Sequence, residues 1–287
     1  MAVTVSLINM KGGVGKTTLA TQLAHAADQR NLRTLAVDLD PQSNLSQAIL
    51  GPKEYVKLLK GRKPTVLAVF ESYLPLYEGS DSRKLLDIKD VIIKKAGYWS
   101  DTTLDLIPSQ LELSHVLKNP TGKERRLAKA LSKVQDQYDL ILLDCAPTES
   151  VLTEVAYHAS RYVLVPVKPE FMATIGLPLL ARSINEFKCE NSDHALDICG
   201  IVFNHSSSYS EGPEVVISVR EVREEANRNN WPVYPTHVRY SASYPRAARE
   251  GTPIERTSHV RSEVTIEFLC FVEEFLTSVG LTQPETP

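Results

Sequence analysis

Cysteine is scarce in this chain: four in 287 residues (Cys145, Cys189, Cys199 and Cys270), none in C-x-x-C spacing. That excludes a zinc knuckle or a clustered iron–sulfur site and suits a reduced compartment. No run reaches eighteen apolar residues, so no membrane span is expected. The first residues lack the charged-then-apolar layout of a secretory leader. Net charge is only -3, which argues against a chain that coats nucleic acid along its whole surface, though not against a local basic patch. Neither an internal repeat nor a low-complexity tract is visible.

What is present is an apolar content of 43%, enough for a substantial core, arranged in short uninterrupted runs. Residues 3–9, 32–38, 104–107, 140–144, 162–167 and 198–204 read as strands buried on both faces. Helical patterns over 16–29, 123–135, 174–187 and 214–227 separate most of them. Alternation of this kind predicts an α/β fold, a mostly parallel twisted sheet flanked by helices. The stretch 51–101, rich in Lys, Tyr and Pro, is the least regular and is expected to form short helices beside the sheet. Residues 1–287 are taken as one domain, with a frayed tail after residue 280.

The strongest chemical signal is Lys11-Gly12-Gly13-Val14-Gly15-Lys16-Thr17-Thr18, between a predicted strand and a predicted helix. Glycines let backbone N–H groups close on phosphate oxygens, and the helix aims its positive end at the same anion. Lys16 is expected to reach the β- and γ-phosphates of ATP, and the Thr17 hydroxyl to bind Mg2+. Asp38 and Asp40, two apart at a strand end, can face one site; Asp40 either serves that site or caps the following helix. Asp144 closes the apolar run 140–143, as a carboxylate directed at a metal-bound water does. Cys145 beside it reads as a packed core thiol.

The loop departs from the common G-x-x-x-x-G-K-[ST] pattern: Met10 stands where the first glycine would be, and Lys11 is extra. Here the sequence resembles the deviant Walker A ATPases of the ParA/MinD family, whose K-G-G-x-G-K-[ST]-[ST] it matches at every fixed position. The resemblance extends to Asp38-Leu39-Asp40-Pro41-Gln42-Ser43-Asn44, to Asp144-Cys145-Ala146-Pro147 (with Ala146 where the family has proline), and to Tyr234-Pro235-Thr236-His237-Val238-Arg239-Tyr240-Ser241. It implies a P-loop NTPase fold, a small form without a preceding helix-turn-helix domain, and ATP hydrolysis with magnesium. It implies that Lys11 crosses a homodimer interface to the partner's ATP, that Asp40 orients the attacking water, and that Asp38 and Asp144 serve the metal. By the same resemblance adenine lies near Asn204 and Pro235, although Asn204 reads equally as a turn cap.

Relatives of this kind bind DNA without sequence preference as ATP dimers and are released when an adaptor, ParB-like or McdB-like, stimulates hydrolysis. The cargo is a plasmid, a chromosome or, as in McdA proteins, the carboxysome. The implied location is cytoplasmic and nucleoid-associated. Arg220, Arg223, Arg239, Arg246 and Arg249 are the candidate DNA contacts; scattered arginines on a solvated face are the competing reading. A MinD-like membrane cycle would want a basic amphipathic C-terminal helix, and 260–279 carries Glu273 and Glu274 instead. A metabolic P-loop ATPase on the same fold is the other alternative.

Overall fold

The computed structural model describes residues 1–71, 73–75, 83–97, 99, 101–171, 173–206 and 212–282. Its strands are β1 (Val3–Leu7), β2 (Thr34–Leu39), β3 (Tyr73–Pro75), β4 (Arg83–Leu85), β5 (Leu104–Ile107), β6 (Leu140–Cys145), β7 (Tyr162–Val167), β8 (Asp197–Ser206) and β9 (Val238–Arg239). The helices are α1 (Lys16–Gln29), α2 (Asn44–Leu50), α3 (Pro52–Lys60), α4 (Val66–Glu71), α5 (Ser114–Lys118), α6 (Arg126–Leu131), α7 (Val151–Ala159), α8 (Ala173–Glu190), α9 (Pro213–Arg228), α10 (Ser243–Glu250) and α11 (Ser262–Ser278). Seven strands form one sheet in the order β5-β2-β6-β1-β7-β8-β9, and every pair in it is parallel.

The sheet separates two apolar layers, and side chains along one strand alternate between them, as the two-residue repeat of a strand requires. In β6, Ile141 and Leu143 join the layer under α4, α7 and α8. Leu140 and Leu142 join the layer that packs α1 and α11. Small residues on α1 (Ala20, Ala24, Ala26, Ala27) let it lie close to the strands, while Phe268, Phe271 and Phe275 of α11 are fully buried. Each such aromatic contributes about 1.5–3 kcal/mol of burial.

Several details differ from the reading of the sequence. The pattern over 123–135 becomes a single short helix, α6, because the chain turns through Gly122 (φ 74°) and leaves the helix again after Ser132. The segment 51–101 holds α3 and α4 but also the antiparallel β3–β4 pair, which no periodicity announced. β9 is too short to carry a pattern. From residue 283 on, the tail expected to fray lies outside the described residues. No described helix is long and apolar enough to cross a membrane.

Candidate functional site

In an all-parallel sheet, ligands gather at the carboxyl ends of the strands where the order reverses. β1 occupies that point, with β6 on one side and β7 on the other. Its end runs into the glycine loop, and α1 starts at Lys16 with no acidic residue in its first turn, so no side chain of the helix itself neutralises its positive end. Gly15 stands at φ 89°, and a Cβ there would sit 2.0 Å from the Asn204 amide nitrogen. Conformation and space both demand glycine. A Cβ on Gly12 would only touch Pro147, at 3.8 Å.

Lys16 is folded over this loop. Its ammonium donates to the Asn9 carbonyl (3.0 Å) and the Lys11 carbonyl (3.1 Å). It is only 6% exposed, and burial pulls its pKa down while Asp144, Cys145 and Asp40 pull it back up. A buried lysine whose partners include two main-chain carbonyls can turn to an anion with little rearrangement.

Asp144 and Asp40 act on this ammonium, and a third carboxylate, Asp38, stands beside Asp144. Asp38 and Asp144 are register neighbours on β2 and β6, and both are wholly buried. Asp38 Oδ2 accepts from the Ser46 amide (2.8 Å) and hydroxyl (2.6 Å), and Oδ1 accepts from the Asp40 amide (3.1 Å). Asp40 Oδ1 accepts from the Gln42 amide at 2.8 Å, which ties the turn before α2. Asp144 differs from both: neither of its oxygens has a hydrogen-bond partner. Burial, then the charge of Asp38, pushes its pKa well up; the Thr17 hydroxyl and Lys16 act the other way. Thr17 is thus close enough to influence Asp144 without making a well-formed bond to it.

Burying an unpaired carboxylate is costly. A divalent cation would remove the penalty, and the donors (carboxylates, a threonine hydroxyl, phosphate oxygens) are the hard oxygen set magnesium prefers. No group of three His, Cys, Asp or Glu close enough to hold a metal unaided occurs among the described residues. Magnesium that keeps several waters and leans on a nucleotide needs none.

Residues 2–198 match the family model described as an AAA domain. An uncharacterised protein of Methanocaldococcus jannaschii is 31% identical over 257 residues, covering 88% of this chain and 90% of its own. The chromosome-partitioning ATPase Soj of Treponema pallidum is 32% identical over 206 residues, 71% of each chain. Among solved structures, a Cyanothece McdA aspartate-to-alanine variant in complex with ATP superposes with a TM-score of 0.75 over 99% of both chains, at 19% identity; it shares the fold.

The chain belongs to the ParA/MinD family of P-loop ATPases.

In this ParA/MinD-family chain the other residues expected of the site lie on the loop or on the elements around it. Gly12, Gly13, Val14, Thr17 and Thr18 lie on the loop and the first turn of α1. Lys11 is not extended into solvent: its ammonium pairs with Glu170, which Lys168 also contacts at 2.9 Å. Asn204 lies beside the loop, but its amide donates to the Val14 carbonyl (2.8 Å) and its oxygen accepts from the His205 amide (2.9 Å). It braces the loop and ties a turn. Pro235 is exposed next to Thr236, which is pinned to Glu274 of α11. Cys145 is a buried free thiol.

The five arginines divide. On α9, Arg220 pairs loosely with Glu224 (3.8 Å), and Arg223 lies over the Phe203 ring and 3.5 Å from His237. Arg239 and Arg246 line a second place, a cleft of about 760 Å³ that also includes His259 and Arg261. Arg239 is bound to Glu267 there (2.8 Å), and Arg246 to the Ser258 carbonyl (2.7 Å). Arg249 is exposed on α10. Reading the sequence missed Arg261 and His259, which only folding brings to the cleft, and missed Glu170 and Asn9. Asn9 staples the loop: Oδ1 accepts from the Lys11 amide (2.9 Å), and Nδ2 donates to the Pro166 carbonyl (2.7 Å).

Proposed function

We propose that this chain is a positioning ATPase: it binds ATP with magnesium, dimerises around two nucleotides, holds DNA without sequence preference, and lets go when a ParB-like or McdB-like adaptor stimulates hydrolysis. The cargo so moved or spaced is a plasmid, a chromosome or a protein organelle. The observation that carries this reading is the phosphate loop itself, with Lys16 buried over carbonyls and facing an Asp144 that has no hydrogen-bond partner of its own.

Loop amides and Lys16 hold the phosphates. Thr17, Asp144 and, from further out, Asp38 would hold magnesium, which supplies neutralisation of phosphate charge. Asp40 orients the attacking water, and Lys11 of the second copy stabilises the charge that builds on the transferred group. Asn204 and Pro235 border the adenine.

Coupling to DNA has a physical route in this reading. α10, which carries Arg246 and Arg249, packs against both α1 and α2, the helices that follow the phosphate loop and the Asp40 turn. The Gln22 carboxamide of α1 also accepts from the Ile254 amide at 2.6 Å, on the connection between α10 and Arg261. A shift in either nucleotide-facing loop therefore reaches the basic cleft through packed helices.

The test is a fluorescence binding assay on random-sequence duplex DNA with ATP, ADP or no nucleotide, across a salt series. Binding that requires ATP and falls steeply with salt is expected, because counterion release dominates sequence-independent association. Equal binding in all three nucleotide states would overturn the proposal.

A further inference from the structure

Lys11 is the loop's second cation, and in the folded chain it has a local partner 159 residues away in sequence. Asn9 fixes the start of the loop to the end of β7 through Pro166. The chain leaving β7 then runs Val167-Lys168-Pro169-Glu170 into α8. Its turn is held by the Glu170 amide, which donates to the Lys168 carbonyl at 2.8 Å, and by the Ala173 amide, which donates to the Glu170 carbonyl at 2.8 Å. The result is one carboxylate shared by two ammoniums: Oε1 takes Lys11 and Oε2 takes Lys168. Lys11 first, then Lys168, holds the Glu170 carboxyl below the usual glutamate range. The Lys11 and Glu170 side chains are 27% and 37% exposed, so the contact is open to competition.

We propose that Glu170 is a positioning residue that latches Lys11 within its own chain, so that the pair must part before Lys11 can serve a nucleotide held by a second copy. This inference rests on the dimer reading given above. An ammonium clasped by its own chain's carboxylate cannot at the same time reach across an interface. Every dimer therefore breaks two latches, and Lys168, by competing for the same carboxylate, weakens each of them. The latch sets a threshold: dimers form when a triphosphate, more highly charged than a carboxylate, outbids Glu170.

Dimerisation with ATP and magnesium, followed by analytical ultracentrifugation, tests the latch with two variants of opposite sign. Glu170→Gln removes the carboxylate charge and should tighten the dimer roughly two- to fivefold per protomer, hence roughly four- to twenty-five-fold per dimer, the range expected for partly exposed ion pairs. Lys168→Met leaves Glu170 wholly to Lys11 and should weaken the dimer. In a Lys11→Ala background, Glu170→Gln should change nothing. Independently of dimers, acetylation of the isolated chain read by mass spectrometry should label Lys11 several-fold faster in Glu170→Gln. If the wild-type chain dimerises but Glu170→Gln dimerises no more tightly, or if Lys11 labels at the wild-type rate, the latch is overturned and the dimer reading stands. If neither chain dimerises with ATP, the dimer reading falls and takes the latch with it.

Discussion

The phosphate-loop end of the sheet and the arginine-bearing region from α9 to α11 treat charge in opposite ways. At the loop, Lys16, Asp38 and Asp144 are buried, and Asp144 has no hydrogen-bond partner. In the arginine region the cations sit at the surface, several of them beside carboxylates, as Arg239 is with Glu267 and Arg220 with Glu224. A buried carboxyl with no hydrogen bond is costly unless a ligand compensates it, so Asp144 points the first region to chemistry. The second is tolerable without any ligand, and its function depends on whether a polyanion outcompetes internal partners.

Substitutions in the two regions should differ in size and in kind. The largest effect is expected from Asp40→Ala: with the proposed water-orienting carboxylate gone, ATP turnover should fall by roughly 10²- to 10⁴-fold while ATP-bound dimer accumulates; phosphate release and sedimentation check both halves. Asp144→Asn should abolish the magnesium dependence of nucleotide binding while shifting the ligand-free unfolding free energy by no more than about 1–3 kcal/mol, since Asp144 has no hydrogen bonds to lose. Calorimetry read together with denaturant titration would expose a variant that keeps the dependence or shifts further.

A pH effect of similar size comes from His25, buried on α1 with neither ring nitrogen hydrogen-bonded. Burial drives its pKa from 6.5 down to about 4, with Asp28 pulling slightly the other way. The unfolded chain therefore binds the proton more readily. Stability is complete above about pH 6.5 and declines as pH falls toward 4, by about 3 kcal/mol for this group alone. His25→Leu should flatten that limb in melts taken from pH 7 to pH 4. The smallest effect is expected in the arginine region: Arg246→Glu should weaken DNA binding several-fold, lower the salt slope by about 1, and leave ATP affinity unchanged.

Run length and separation along the chain decide which features the sequence reveals. Strands buried on both faces are written as continuous apolar runs, which is why β2, β6 and β7 were legible. The loop was legible because its glycines, two lysines and threonines are contiguous. β3, β4 and β9 span only two or three residues each, too short for any period. Partners were hidden wherever they lie far apart in the chain: Glu267 is 28 residues from Arg239, and Glu170 is 159 from Lys11. The residues of 220–261 show their arginines and the near neighbour Glu224, but not the distant Glu267 that faces Arg239. Asn204 could be placed at a strand end, yet its bond to Val14 depends on β8 and the glycine loop meeting in space.

Titration calorimetry with ATP, with and without magnesium, tests the loop as a nucleotide site. The wild-type chain should bind ATP more tightly with magnesium present, and Lys16→Ala should lose roughly a hundredfold in affinity, the worth of a buried charge-assisted contact. Equal ATP affinity in wild type and Lys16→Ala, or affinity indifferent to magnesium, would contradict it.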